Sequence, residues 1–472
     1  MKKLLSITLF VSTLLLSLRA SAQSDSTIHE SALLLSQYIQ RESVTGSEKE
    51  AGEFLSSVCK EKGLFVEIFS DERDSYNFAA SLYPLSSGKP NIILLNHIDV
   101  VPPGDISKWA MPPFSGTISN NEIWGRGAID AKGLAIMQLM ALLEFKKQAD
   151  VLDFPYNVTL LAVSEEEGSG LKGTQRVIQE HFNQLNAVLV LGEGGAGVSN
   201  LLQHNPHQQV FCVSVCEKQL LWLKLTVDLL SSGHGSVPPN DYANLVMVKT
   251  LSRLVSKNQK IEITEANRPM FKSLGALEKG IKRVALKNVT LFKPLLKPVF
   301  RKDSQLRALV SNTITLTNIS NPEGGTNQIA QQVVASLDCR LLPGTNQQKF
   351  IEQIKKSFKG DNIRIEVELE TPNASPSSIG SEIYKKLSHA IEEVHTSKVV
   401  PIMFPAYTDN NYFRNKGVPV YGIIPVHLPL ELMESVHNTD ERMPISGLLQ
   451  GIEVYKSFLN KVLVPNKIVK AY

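Results

Sequence analysis

The chain has 472 residues, of which 43% are hydrophobic and 20% are charged. This length predicts more than one domain, and the apolar fraction excludes a mainly disordered chain. The 49 Lys and Arg residues oppose 46 Asp and Glu residues, which gives a formal net charge of +3. This balance, without a long basic run, argues against a nucleic-acid-binding protein. The four cysteines are too scattered for a disulfide scaffold.

Residues 1–22 are typical of an export signal. Lys2 and Lys3 precede a mostly apolar stretch, 4–18, and a small-residue cleavage site follows at 20–22. The alternative is an uncleaved membrane anchor, but the apolar stretch is short for a membrane-spanning helix. No later stretch is long and apolar enough to span a membrane. The mature protein is therefore predicted to begin near Gln23 and to be periplasmic or extracellular.

Short apolar runs alternate with helical patterns in the first part of the chain and again from about residue 380. The candidate strands here are 91–100, 156–163 and 186–191, and residues 133–147 form a helical pattern that is apolar nearly all round. Apolar strands that alternate with helices predict an α/β fold whose sheet is covered on both faces.

The pattern changes near residue 219. Apolar and polar side chains alternate over 221–229, which predicts a half-exposed antiparallel strand. Residues 265–310 form an unusual stretch, in which 291–300 is rich in Leu, Phe, Lys and Pro. We predict four segments: a signal (1–22), the first part of a catalytic domain (23–218), an inserted α+β domain (219–371) and the second part of the catalytic domain (372–472).

Five polar motifs place metal-type ligands at predicted strand ends or turns. The residues singled out in them are His97, Asp99, Asp130, Glu165, Glu166, Glu167, Glu193 and His437. Each motif alone has an ordinary explanation, such as a solvated acidic face or a loop histidine. Because ligands collect beyond the carboxyl ends of parallel strands, their joint occurrence predicts one site. Two histidines with several carboxylates suit Zn²⁺ or a similar divalent ion, and one bridging carboxylate would let the set hold two ions.

Two other chemistries find little support in the sequence. Gly192, Gly194 and Gly197 match the outline of a dinucleotide-binding motif. The segment after Gly197 contains Pro206 and lacks the helix whose N-terminus should hold a pyrophosphate. The chain also has no G-x-S-x-G nucleophile elbow and no P-loop. NAD binding and serine-hydrolase chemistry are therefore not predicted.

These motifs, in this order, resemble the M20 family of co-catalytic metallopeptidases and aminoacylases over essentially the whole mature chain. The matching segments are NHIDVVP (96–102), PPFSG (112–116), GRGAIDAKG (125–133), SEEEGSG (164–170), LGEGG (191–195), SGHGSVPP (232–239), GGTNQIA (324–330), CRLLPG (339–344) and SVHNTDE (435–441). Within the family, the chain is most similar to the carboxypeptidase S and N-fatty-acyl-amino-acid synthase/hydrolase branch. Two departures are Asn96, where Gly is usual, and Ala131, where Asp is common, and neither is expected to disturb metal binding.

The resemblance implies a fold and a ligand set. The fold is a catalytic domain with a mixed, mostly parallel sheet, into which an α+β lid or dimerisation domain is inserted. The implied metal ligands are His97, Asp130, Glu166, Glu193 and His437. Asp130 would bridge two divalent ions, most readily Zn²⁺, with Co²⁺ or Mn²⁺ as alternatives.

The resemblance also assigns the catalytic roles. Glu165 would be the general base, and Asp99 would orient His97. A register shifted by one residue would instead make Glu166 the base and Glu167 the ligand.

Three residues of the inserted domain are implied as substrate contacts. His234 would help to stabilise the oxyanion, often from the partner subunit, which makes a homodimer through the inserted domain an expected assembly. Asn327 and Arg340 would bind the free carboxylate of the substrate, a task that suits the two parallel donors of Arg. The ordinary alternatives are a turn histidine for His234 and a strand-end salt bridge for Arg340.

The predicted function is a secreted di-zinc hydrolase of carboxypeptidase or dipeptidase type, which cleaves the amide bond of peptides or N-acyl amino acids with a free C-terminal carboxylate. The first alternative is an aminoacylase or N-fatty-acyl amino acid hydrolase, in which 265–310 would hold an acyl chain instead of serving as simple packing or a dimer surface. The second alternative is a metal-dependent binding protein without catalysis, which the retained ligands and Glu165 disfavour. No nucleic-acid partner and no stable membrane span are expected.

Overall fold

The computed structural model describes residues 29–202, 204–229, 233–256, 259–321, 325–358 and 363–464. The predicted export signal, 1–22, lies outside these residues. Among the residues described, no helix has both the length and the apolar character needed to cross a membrane.

The helices and strands follow one another closely along the chain. The α-helices are α1 (Glu30–Ile39), α2 (Lys49–Glu61), α3 (Lys132–Ala149), α4 (Thr174–Leu185), α5 (Ala243–Val255), α6 (Arg268–Leu277), α7 (Gly280–Lys287), α8 (Val289–Lys302), α9 (Ser304–Val310), α10 (Gln347–Lys356), α11 (Glu382–His395), α12 (Asn410–Asn415), α13 (Leu430–Ser435) and α14 (Ile445–Leu463), with short 3₁₀ helices at Leu85–Ser87 and Ile106–Lys108. The strands are β1 (Phe65–Glu72), β2 (Ser75–Ser81), β3 (Asn91–His97), β4 (Ile118–Ser119), β5 (Glu122–Trp124), β6 (Asn157–Val163), β7 (Ala187–Val198), β8 (Val210–Glu217), β9 (Gln219–Asp228), β10 (Gly233–His234), β11 (Thr313–Ser320), β12 (Gln328–Ile329), β13 (Gln332–Leu341), β14 (Ile363–Glu370), β15 (Lys398–Phe404), β16 (Val420–His427) and β17 (Arg442–Pro444).

A mixed eight-stranded sheet forms the centre of the larger α/β unit, in the order β1-β2-β6-β3-β7-β16-β8-β15. The predicted α/β class is confirmed, and β3 pairs in parallel with both β6 and β7. Ile92 and Leu94 pack in one hydrophobic cluster with α3 and α14, whereas Ile93 and Leu95 pack in another with α4 and α12. Successive strand residues point to opposite faces. Burial on both faces therefore explains the unbroken apolar run.

The parallel register brings the ligand motifs to one edge of this sheet. His97, the last residue of β3, pairs with Val163 at the end of β6. The acidic triplet begins two residues after Val163. On the other side of β3, Leu94 pairs with Leu191 of β7, two residues before Glu193. His97, the triplet and Glu193 are thereby neighbours.

A second sheet has four antiparallel strands in the order β11-β13-β9-β14. The alternation over 221–229 lies in β9, where Leu221, Leu223, Leu225 and Val227 are fully buried. They pack with α5 and α10 in a hydrophobic cluster of their own. The strands and helices of this sheet lie within the predicted inserted segment.

Residues 265–310 are helical, which the sequence pattern did not predict. Pro294 and Pro298 lie inside α8, where proline usually breaks a helix by removing a backbone donor. The helices pack against the β15 edge of the large sheet through a cluster that contains Phe271, Phe300 and Val400.

The cysteines and the glycine motif at 192–197 agree with the sequence analysis, which predicted neither a disulfide scaffold nor a dinucleotide site. Cys59, Cys216 and Cys339 are buried and Cys212 is half-buried, and all four are free thiols. The glycine motif at 192–197 lies inside β7, and β8 is the next regular element after it. The helix that a dinucleotide site needs does not follow in the described residues.

Candidate metal centre

Asp130 lies between two histidines and presents one carboxylate oxygen to each. Its Oδ1 is 3.0 Å from His97 Nε2, and its Oδ2 is 3.2 Å from His437 Nε2. His97 ends β3, whereas His437 belongs to a turn between α13 and β17 and has a positive φ of 61°. A single carboxylate that faces two imidazoles through different oxygens has the arrangement of a bridging ligand.

Each histidine also has a glutamate beside it. Glu193 Oε2 is 3.6 Å from His97 Nε2, and Glu167 Oε1 is 3.0 Å from His437 Nε2. Two groups of possible ligand atoms, each within 4.8 Å of one another, are His97, Asp130 and Glu167, and His97, Glu166 and Glu193. The donors therefore form two overlapping sets that share His97, and Asp130 lies between the two histidines.

The carboxylates of this site are crowded and largely buried. Burial and the neighbouring Asp130 raise the pKa of Glu193 to about 7, and burial and Glu193 raise that of Glu166 well above its usual range. Hydrogen bonds to Asp130 and Glu167 raise the pKa of His437 to about 10. Carboxylates crowded together in this way are relieved by a cation. The nitrogen and oxygen donors fit Zn²⁺ or a similar divalent ion.

Glu165, the expected general base, is not in either ligand group. It has a positive φ of 61°, and its Oε2 accepts a hydrogen bond from the Lys172 N–H at 2.7 Å. Its backbone oxygen accepts from the N–H groups of Gly168 and Gly170. Glu165 thus closes the turn 165–172, and the two glutamates that follow it face the histidines.

Asp99 is fully buried and holds the acidic triplet in place. Its Oδ1 accepts from the Glu166 N–H at 3.1 Å, and its Oδ2 accepts from the Glu167 N–H at 3.0 Å. Thr45 Oγ1 donates a third hydrogen bond at 3.0 Å. His97 Nδ1 lies 2.9 Å from the Asp99 backbone oxygen, which orients the ring so that Nε2 faces Asp130. Asp99 therefore contacts both the histidine and the loop that carries the glutamates.

Glu441 is a buried residue of the site that the sequence analysis did not single out. Its two oxygens accept hydrogen bonds from the backbone N–H groups of Gly127, Ile129 and Asp130, at 2.9–3.1 Å. The Arg126 guanidinium donates a fourth at 2.7 Å. Glu441 stands four residues after His437 in the same motif, and this spacing was the signal available. Its carboxylate ties that motif to the loop that presents Asp130.

The Glu193 strand depends on close backbone approaches. Asn410 Nδ2 donates to the Glu193 backbone oxygen at 2.7 Å. A Cβ at Gly192 would lie 2.1 Å from Asn410 Oδ1, and one at Gly422 would lie 2.2 Å from the Glu193 oxygen. Glycine is required at both positions. Asp409, also unpredicted, is buried next to Asn410, and this burial raises its pKa to about 8.

The three predicted substrate contacts lie in the second unit. His234 and Asn327 are brought together, with His234 Nε2 3.4 Å from Asn327 Nδ2 where β10 pairs with β12. Arg340 forms the alternative contact considered for it, donating to both carboxylate oxygens of Asp338 at 2.8 and 3.1 Å. Among the described residues, no hydrogen bond or ion pair joins these three to the histidine–carboxylate cluster.

The sequence profile of peptidase family M20/M25/M40 matches residues 93–461, which contain this whole cluster. The chain belongs to this family. The M20 assignment and its hydrolase class are thereby established, and the family resemblance of the motifs is confirmed.

Similar proteins agree with this membership. A probable carboxypeptidase S-like protein of Dictyostelium discoideum is 27% identical over 387 residues, or 81% of this chain and 73% of the relative. The N-fatty-acyl-amino acid synthase/hydrolase PM20D1 of Xenopus tropicalis is 27% identical over 431 residues, or 89% of this chain and 81% of the relative. The crystal structure of the M20 metallo-carboxypeptidase Sso-CP2 from Sulfolobus solfataricus has a TM-score of 0.70 and 21% identity, covering 91% of this chain and 98% of that one. This last comparison supports the fold.

Proposed function

We propose that the protein is a two-metal amidohydrolase that cleaves small peptides with a free C-terminal carboxylate. The observation that carries this proposal is Asp130, which presents one oxygen toward His97 and the other toward His437. A structural metal site is usually a closed set around one ion. A carboxylate shared between two histidine–glutamate pairs instead suits a two-ion centre.

The geometry favours the register shifted by one residue. Glu167, not Glu166, lies beside His437 and would complete that metal site with Asp130. His97, Glu193 and the other Asp130 oxygen would hold the second ion. We therefore propose His97, Asp130, Glu167, Glu193 and His437 as the ligands. Zn²⁺ is the first choice for this donor set, with Co²⁺ and Mn²⁺ as alternatives.

Glu166 is the proposed general base in place of Glu165. Its carboxylate lies near the His97 ring and the Glu193 carboxylate, whereas the Glu165 carboxylate accepts a hydrogen bond from the Lys172 N–H. Bound divalent ions would supply a water of lowered pKa and polarise the scissile carbonyl. A Glu166 oxygen would accept the proton from this water and deliver it to the leaving amine. Asp99 fixes the backbone of Glu166 and so the position of that oxygen.

The inserted unit is proposed to bind the substrate. The separate sheet and cluster of 219–371 support the predicted division of the chain and a role as lid or dimerisation domain. His234 and Asn327 already lie side by side, as oxyanion and carboxylate contacts would require. Arg340 would have to exchange Asp338 for the substrate carboxylate. Because no hydrogen bond or ion pair of the described residues joins these three to the cluster, domain closure or a partner subunit would have to bring them to it.

Hydrolysis of N-fatty-acyl amino acids is the second candidate. The observation in its favour is the similarity to an N-fatty-acyl-amino acid synthase/hydrolase over 81% of that relative's length. Both reactions break an amide bond next to an amino acid carboxylate, so the same ligands and base would serve. They differ in the group that the acyl side of the pocket must hold.

Metal analysis is the first test of the proposal. Purified protein should contain about two divalent ions per chain, and chelation followed by Zn²⁺ should remove and restore activity. His437→Ala should retain about one ion, because one of the two proposed sites keeps its own histidine and glutamate. A protein without a divalent ion, or one whose activity survives chelation, would contradict the two-metal mechanism.

A matched substrate panel separates the two candidates. Gly-Phe, N-acetyl-Phe and N-oleoyl-Phe share one leaving amino acid, so differences in kcat/KM report only on the acyl side. The first candidate predicts the highest value for Gly-Phe, and the second for N-oleoyl-Phe. The amide of Gly-Phe serves as the control for the free carboxylate. Equal rates with Gly-Phe would contradict the proposed carboxylate recognition.

A further inference from the structure

Helix α8 has one side inside the protein and one side in water. Val289 and Phe300 are buried, and the Phe300 ring lies 5.5 Å from that of Phe271 in α6. The exposed side carries Leu291 and Leu295, at 77% and 74% exposure. Burying the first set holds the helix firmly against the protein, so its apolar outer side chains have a fixed position.

Further exposed apolar side chains lie later in α8 and in the helix before it. Val299 is half-exposed, and its spacing of four from Leu295 puts both on one side of α8. In the preceding helix α7, Ile281 is 81% exposed and Val284 is half-exposed. Water-exposed large apolar residues are unremarkable when single, but a group of them on consecutive helices indicates an interaction surface.

All charged side chains of α7, α8 and the residue before them are positive. Residues 279–302 contain eight cations and no Asp or Glu: Lys279, Lys282, Arg283, Lys287, Lys293, Lys297, Arg301 and Lys302. None of the eight forms an ion pair with a carboxylate of the described residues. The whole chain carries a net charge of only +3, so the segment is far more basic than the rest of the protein. We call 279–302 the basic amphipathic face.

A groove of about 690 Å³ lies beside this face and combines the same two chemistries. Lys293, Lys297 and Arg301, four residues apart, line it together with the buried side chains of Leu254, Phe350 and Ile354. These cations are two positions out of phase with Leu291 and Leu295, so they run along the other flank of α8. A row of cations above an apolar floor is suited to a molecule that has an anionic head and a hydrocarbon chain.

These observations argue against two other occupants. A second copy of the chain meeting this face about a two-fold axis would place eight cations against eight, which repel each other. A nucleic acid would neutralise the cations but leave the Leu and Ile side chains without apolar contact, since phosphate contacts dominate such interfaces. Basic helices with exposed apolar residues are instead typical of binding to the surface of an anionic membrane.

We propose that the basic amphipathic face binds the surface of an anionic lipid bilayer, with the cations at the headgroups and Leu291, Leu295 and Ile281 among the upper acyl chains. The binding is peripheral, and it is independent of the hydrolytic reaction proposed above. It would hold the hydrolase at a membrane without a spanning helix.

The test is co-sedimentation of the full chain with vesicles. Phosphatidylcholine vesicles containing about 30% phosphatidylglycerol should bind at least about tenfold more protein than pure phosphatidylcholine vesicles, and about 0.5 M salt should remove most of the difference. Lys293→Glu/Lys297→Glu/Arg301→Glu should abolish the preference. Leu291→Ser/Leu295→Ser should weaken binding to both kinds of vesicle.

Matched controls carry the same change elsewhere on the surface. Lys108→Glu/Lys147→Glu/Lys385→Glu changes the net charge equally at exposed positions, and Val151→Ser/Leu430→Ser removes equally exposed apolar groups. These controls should bind as the unchanged protein does, and all variants should keep its melting temperature and its rate with Gly-Phe. The proposal is overturned if the unchanged protein does not prefer anionic vesicles, or if the charge-reversal variant of the basic amphipathic face binds like its control. Polyglutamate is the probe for an acidic protein partner. Binding to polyglutamate but to no vesicle would also overturn the proposal.

Discussion

The Glu441 carboxylate accepts a hydrogen bond at 3.1 Å from the backbone N–H of Asp130, 311 positions earlier in the sequence. The same carboxylate is paired with the buried Arg126 guanidinium at 2.7 Å. One side chain thus supports the loop of the proposed bridging ligand and neutralises a buried cation. Among the described residues its side-chain hydrogen bonds go to Arg126 and to the backbone of 127–130, so it acts by positioning.

Glu441→Ala is expected to lower the free energy of unfolding by about 3–5 kcal/mol, because it leaves a buried Arg126 without its partner. It should also reduce metal content at limiting metal, since the Asp130 loop loses its backbone acceptors. Chemical denaturation and metal analysis are the measurements. Glu50→Ala is the control, because Glu50 is 71% exposed in its pair with Arg41. A stability loss no larger than that of the control would refute the positioning role.

Substituting each member of the acidic triplet by Gln separates base from ligand. Glu167→Gln should lose about one ion, and Glu166→Gln should keep both ions and lose about 100- to 10,000-fold in kcat. Glu165→Gln should change kcat by less than a few fold, because its carboxylate is hydrogen-bonded to the Lys172 N–H within the turn 165–172. Metal content and kcat are measured on the same preparations. Loss of turnover in Glu165→Gln together with loss of metal in Glu166→Gln would restore the register first expected from the sequence.

Asp99→Ala removes the acceptors for the Glu166 and Glu167 N–H groups. We expect metal affinity to fall by about 10- to 100-fold, as is usual for residues that orient metal ligands. Excess metal should then restore most of the activity, which distinguishes positioning from catalysis. Competition with a chelator gives the affinity, and Asp105→Ala, at an exposed 3₁₀ cap, is the control. Unchanged affinity in Asp99→Ala would show that the loop holds its shape without this carboxylate.

Metal affinity should rise with pH. Hydrogen bonds to Asp130 and Glu167 raise the pKa of His437 to about 10 in the metal-free protein. The charged ring stabilises this form fully below the unfolded-state pKa of about 6.5, and that contribution is lost as the pH rises through 10. A metal ligand must be neutral, so binding near pH 7 displaces the proton.

The expected slope is about tenfold in affinity per pH unit for each proton displaced, between about pH 6.5 and 9. The difference in melting temperature between metal-loaded and metal-free protein should widen over the same range. Calorimetry in buffers of different ionisation enthalpy counts the protons released. An affinity that stays constant from pH 6.5 to 9 would mean that His437 is already neutral, contrary to its two carboxylate contacts.

The parts of this molecule that the sequence predicts are those set by local pattern. The apolar run that becomes β3 and the polar residues after it are adjacent in the chain, so their fold and edge position follow from burial and spacing. The proposed role of each glutamate depends on the backbone turn at Glu165 and on the hydrogen bonds that the Glu166 and Glu167 N–H groups donate to Asp99, neither of which leaves a periodic signal. Glu441 and Arg126 meet across more than 300 positions, beyond any local pattern. Helix α8 was not predicted, because it contains two prolines, which usually end a helix.

The contact between the His437 motif and the Asp130 loop also sets an order of events during synthesis. At about 5–20 residues per second, roughly 15–60 seconds pass between the synthesis of Asp130 and that of Glu441. During that interval Arg126 lacks its anion and the proposed metal site lacks a histidine. A ribosome-bound or prematurely ended chain therefore has the glutamates of the proposed site without a complete centre. If both proposed metal sites are needed for hydrolysis, activity can begin only after the last part of the fold is in place.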